Sequence, residues 1–147
     1  MNKMIKIALA IITFTALPAA SSTIIEPVSN YLQKGRSYTN NGDYNTAIEY
    51  FNKAISLSPA SAVAYLSRAI AYANEKRYNE ALDSLGNAIM YDSSNPTIYY
   101  VQAMSFEAVV NNSQAIIAWR KYLQLCPNCD KSSVAKEHLK RLEGNFK

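Results

Sequence analysis

Three stretches of the chain, residues 28–61, 62–95 and 96–129, lie over one another without a gap. Aligned places share residue character. The fourth holds Tyr31, Tyr65 and Tyr99, and the eleventh holds Tyr38, Tyr72 and Phe106. Small residues recur at the eighth (Gly35, Ala69, Ala103) and at the twentieth (Ala47, Ala81, Ala115). Large ones recur at the twenty-fourth (Phe51, Leu85, Trp119). A unit this short cannot bury its own apolar face, so a fixed period of this length points to units stacked side by side around a continuous core.

Within each window the apolar residues recur at spacings of three and four, which places them on one stripe of a helix. Each window splits into two such helices. In the first they run near 28–41 and 44–57, separated by Asn41-Gly42-Asp43. Asp43 is placed to cap the second helix, Ser61 and Asn95 to cap the next two hairpins, and Pro96 to occupy a first helical turn. Small residues allow backbones to approach and aromatics fill the space between turns. The 11 tyrosines are thereby read mostly as scaffold, since Tyr suits sites with one end buried and one wet.

The first window, with Gly35, Tyr38, Gly42, Tyr44, Ala47, Phe51, Ala54 and Pro59, resembles the tetratricopeptide repeat family, whose unit is a helix–turn–helix. The likeness extends over residues 28–129. It is loosest in the third window, where Val110 replaces the Gly42 type, Asn112 replaces Tyr44 and Tyr78, and Tyr122 replaces Ala54 and Ala88. The resemblance implies an all-α, right-handed superhelical solenoid. Residues 130–147 supply a C-terminal capping helix and tail, with a helix over 131–143 whose Val134, Leu139 and Leu142 cover the open end.

Residues 1–20 read differently. Lys3 and Lys6 precede an apolar run from Ile7 to Leu17, followed by Pro18 and small residues. That is the pattern of a secretory signal peptide, and the run is too short to span a membrane comfortably. Residues 21–27 form a short linker. The expectation is an exported protein, periplasmic or secreted, touching a membrane only through an uncleaved signal. Without Lys3 and Lys6 the formal charge falls from +4 to +2, which argues against nucleic acid as a partner.

The family resemblance implies a concave face lined by the first helix of each repeat. Its places map onto Leu32, Arg36 and Asn40, then Val63, Leu66, Ile70 and Asn74, then Tyr100, Val101, Met104 and Glu107. One subtype of the family grips a peptide's terminal carboxylate. The matching places here, Leu32, Arg36, Ser67, Thr97 and Val101, depart from that set at every position. The expected ligand is therefore an apolar peptide or amphipathic helix of a protein partner. Alanine at Leu66 and Ile70 is expected to abolish capture and spare helicity. No cofactor, metal site, small-molecule substrate or catalytic set is expected, and the favoured role is a non-catalytic scaffold or adaptor.

Cys126-Pro127-Asn128-Cys129 admits several readings. In an oxidising compartment a structural disulfide comes first, with a redox pair, half of a zinc site or free thiols as alternatives. Two further roles thus stay open beside the adaptor. One is a thiol–disulfide factor acting through Cys126 and Cys129. The other is a structural subunit of an envelope assembly, held through its basic last helix. His138 is expected to be plain surface.

Overall fold

The computed structural model describes residues 27–144; the signal-peptide expectation lies outside the described residues. Seven helices follow in order: α1 (Val28–Asn40), α2 (Tyr44–Leu57), α3 (Ala62–Asn74), α4 (Tyr78–Tyr91), α5 (Pro96–Ala108), α6 (Asn112–Leu125) and α7 (Ser132–Gly144). No strand occurs among the described residues. None of these helices is long and apolar enough to cross a membrane.

The helices pair as α1–α2, α3–α4 and α5–α6, and successive hairpins join through α2–α3, α4–α5 and α6–α7. The odd-numbered helices also touch one another, α1 with α3 and α3 with α5. They form one layer of an all-α solenoid and the even-numbered helices form the other. Polar side chains at the helix starts accept from free backbone N–H groups: Asp43 from Thr46, Ser61 from Ala64, Asn95 from Thr97 and Asn111 from Gln114. Asn111, the first residue of an Asn-x-Ser sequon, is thus a helix cap.

The turn inside each hairpin is built the same way three times. Gly42, Lys76 and Val110 have φ of 80°, 63° and 61°. Around them the N–H of Asp43 donates to Tyr38 O, that of Arg77 to Tyr72 O and that of Asn111 to Phe106 O, at 2.8–2.9 Å. This is the Schellman arrangement, which satisfies the last carbonyls of a helix through one left-handed residue. Glycine adopts that conformation freely. A β-branched residue resists it, so Val110 is strained.

Three apolar clusters form the core, and each is closed by the helix that follows its hairpin. Ala47, Ile48 and Phe51 of α2 meet Ala71 of α3. Leu66, Ala69, Leu85 and Ala88 meet Ile98 of α5. Tyr99, Ala103, Ala115, Ala118, Trp119 and Tyr122 meet Ala135 and Leu142 of α7. The pairing of small with large is literal at Gly35, where an added Cβ would overlap the Phe51 ring. Arg68 ties the hairpins together by donating to Ser84 Oγ at 3.1 Å and to Asn52 Oδ1 at 2.8 Å.

α7 packs on α6 as α3 packs on α2 and α5 on α4, so it occupies the place of a fourth odd-layer helix. Its buried residues are Ser132, Ala135 and Leu142, with Leu139 packed against the third cluster. Val134 does not cover the stack as expected and is exposed. Ala135, four and seven residues before Leu139 and Leu142, shares their stripe and meets Trp119 and Tyr122, whereas Val134 is turned about 100° away from it.

Candidate binding groove

Two hollows lie side by side on the odd layer. The first, about 390 Å3, has Arg36, Thr39 and Asn40 of α1 on one wall. Val63, Leu66, Ser67 and Ile70 of α3 form the other, with Phe51 beneath and Asn95 at one end. The second, about 310 Å3, lies between Ile70, Ala73 and Asn74 of α3 and Tyr100, Val101, Met104, Ser105 and Ala108 of α5, with Tyr78 at the head of α4. Ile70 belongs to both. Together they make one groove across three helices, with an apolar floor and amide or hydroxyl edges. Hollows of this size suit one large side chain each, at the small end of the range for ligand sites.

The structure brings together Arg36, Asn40, Val63, Leu66 and Ile70 in the first hollow, and Ile70, Asn74, Tyr100, Val101 and Met104 in the second. Leu32 is elsewhere: it packs half-buried against the cluster around Phe51. Leu66 lines the groove with an edge only. It is 8% exposed and belongs to the middle core cluster, so truncating it removes core as well as groove. Val63 and Met104, 45% and 40% exposed, are the large apolar side chains most open to a ligand. Tyr78, Ala73, Ser105 and Ala108 were not anticipated. Tyr78 begins an even-layer helix and lines the second hollow from there.

Glu107 corrects the expectation most sharply. It does not edge the groove but lies where α5, α6 and α7 meet, its side chain 14% exposed. Trp119 Nε1 donates to its Oε1 at 2.6 Å, His138 Nδ1 lies 2.7 Å from the same oxygen, and Arg141 donates to Oε2. Burial alone would push the Glu107 carboxyl upward. The hydrogen bonds from Trp119 and His138, with the charges of His138 and Arg141, outweigh it and hold the group below the ordinary carboxylate range. His138 is accordingly not plain surface: its side chain is 20% exposed and its ring lies 5.1 Å from that of Trp119.

At the same end Tyr100 meets Trp119 and Tyr122 edge-on, with centroids 5.3 and 5.5 Å apart. Lys131 Nζ lies 4.5 Å from the Tyr100 ring centre. Cys126 and Cys129 are joined, with Cα atoms 5.5 Å apart. Cys126 is the C-cap of α6, and Ser132 Oγ donates to its carbonyl at 2.8 Å, which fixes the turn into α7. A helix C-terminus is the unfavourable end for a thiolate.

Comparison with known proteins agrees with this geometry. Residues 28–61 match the Tetratricopeptide repeat family model. No curated protein sequence matches the chain. The fold is similar to that of the Arabidopsis OM64 tetratricopeptide domain (24% identity, 78% of this chain and 94% of that one, TM-score 0.74). It is also similar to the TPR2B domain of yeast Sti1 in a pHsp70 complex (19%, 80% and 97%, 0.74). A third likeness is to the Yersinia enterocolitica type III secretion chaperone SycD with a peptide of the translocator YopD (14%, 82% and 95%, 0.77). The described residues therefore have the tetratricopeptide-domain fold, an all-α helical-repeat solenoid.

Proposed function

We propose that this chain is a non-catalytic protein-interaction module whose odd-layer groove holds an apolar peptide, or the apolar face of an amphipathic helix, from another protein. The observation that carries this is the pair of contiguous hollows sharing Ile70, open on one face and apolar at the floor. The solved structures of yeast Sti1 with pHsp70 and of Yersinia SycD with a YopD peptide support it, since both have this fold and both hold a protein ligand. The module is exported, on the reading of residues 1–20, and the joined Cys126 and Cys129 suit an oxidising compartment. N-terminal sequencing of the protein from its source should find a mature chain beginning shortly after Ala20.

The groove is tested with a panel of apolar peptides and two single variants, Val63→Glu and Met104→Glu. Each places a charge in a hollow without removing core. Both should lower affinity at least tenfold while the helical signal and Tm stay near the parent. Met90→Glu, at a residue 72% exposed on α4 and outside both hollows, should leave affinity unchanged. Binding indifferent to Val63→Glu and Met104→Glu alike would remove the groove from consideration.

A further inference from the structure

The three helices that face the groove carry a single carboxylate. α1 and α3 contain none and α5 contains Glu107. Trp119, His138 and Arg141 engage that one from α6 and α7, so its charge is satisfied inside the protein. The cations are disposed differently. Arg36 is exposed, lines the first hollow and has no carboxylate partner among the described residues. Arg68, by contrast, is turned away to Ser84 and Asn52. At the other end Lys131, also without a carboxylate partner among the described residues, lies against the ring of Tyr100 that walls the second hollow. Among the described residues the groove thus has an apolar floor, Arg36 in its first hollow, Lys131 behind the Tyr100 wall of its second, and no free anion.

We propose that the groove takes an extended peptide segment whose acidic side chains, internal to the segment, flank the apolar residue seated beside Arg36. The inference rests on the groove reading above and adds the charge of its ligand. Apolar burial supplies most of the affinity, while exposed ion pairs supply orientation and discrimination. The two hollows lie on either side of α3, so their centres are separated by about one helix–helix spacing, roughly 9 Å. Three residues of polyproline-II chain, at about 3.1 Å each and three to a turn, cover that distance and return the side chain to the same face. Two apolar residues three places apart therefore reach both hollows.

The test uses the full chain and three acetylated, amidated peptides, Glu-Glu-Leu-Ser-Ser-Leu-Gly and its versions beginning Gln-Gln and Lys-Lys, followed by fluorescence anisotropy. A fourth peptide, Leu-Ser-Ser-Leu-Gly-Glu-Glu with a free C-terminus, separates internal acids from terminal ones. The acidic amidated peptide should bind about threefold or more tighter than the Gln-Gln version at low salt, and the Lys-Lys version weaker still. The differences should largely vanish at about 0.5 M salt. Arg36→Gln should bring the three together and Arg36→Glu should reverse their order; circular dichroism checks that both variants stay folded. Equal binding of all three peptides, still lost in Val63→Glu, would overturn the charge inference and leave the groove standing. Binding of the free-terminus peptide alone would overturn it too. If none of the four binds, the extended-segment inference falls, and the groove reading is decided by the apolar-peptide panel and the Val63→Glu and Met104→Glu variants.

Discussion

Val110 sits at φ 61°, 79% exposed, where the equivalent turns hold Gly42 and Lys76. Its side chain gains little from burial and its backbone carries the cost of a left-handed β-branched residue, about 1–2 kcal/mol. Val110→Gly should therefore raise stability by about 1 kcal/mol, read from the midpoint of a urea titration. Gly35 is the opposite case. Gly35→Ala drives a methyl into the fully packed Phe51 ring and should lower stability by about 1–3 kcal/mol in the same titration. Both sites are legible in the sequence, because the eighth and fifteenth places of each window can be compared directly. Glu107 is not. Its partners His138 and Arg141 stand 31 and 34 residues further on, and both lie past the third window, where nothing repeats. A lone acid on an odd-layer helix then looks like a groove edge. Glu107→Ala strands the buried Trp119 Nε1 and should cost about 2–4 kcal/mol. Because the folded carboxyl is held below its unfolded range, its contribution is complete above the unfolded value and fades as pH falls through the folded one. The stability gap between parent and Glu107→Gln should accordingly be widest near neutrality and close in acid, as followed by denaturation at stepped pH.

Among the elements, α7 joins local and distant effects. It is held at its start by the Cys126–Cys129 bond and the Ser132 hydroxyl, along its length by Ala135 and Leu142, and near its end by Arg141 on Glu107 and by Glu143, which accepts from Arg120 at 2.7 Å. Removal of residues 131–147 uncovers Trp119 and Tyr122 and releases Glu107. Hydrogen exchange should then show α5 and α6 losing protection first while α1 to α4 keep theirs, since repeat arrays couple mainly to nearest neighbours. Uniform loss across all hairpins would mean that the array unfolds as one unit. The helix could be recognised from sequence, and so could its buried stripe. Val134 and Ala135 stand about 100° apart on a wheel, and only Ala135, four and seven places before Leu139 and Leu142, shares their face. Leu32 and Leu66 are harder to place. On a helix of this layer the groove face and the seam to the neighbouring helix are contiguous, and period alone does not divide them.

At the scale of the molecule, the all-α solenoid could be inferred because every level agrees: period, caps, turn residues and the exchange of small for large side chains. The family likeness points to the odd-layer face, where the two hollows lie. The subdivision of the groove does not follow from it, since hollows are spaces between helices and no single window encodes them. Their shared boundary has a consequence for any ligand with two anchors. One isoleucine is the partition between two chambers, and a branched side chain has few rotamers to choose from. That wall is stiff, so the distance between two anchors is fixed by one residue, and a fragment filling one chamber leaves the room in its neighbour unchanged.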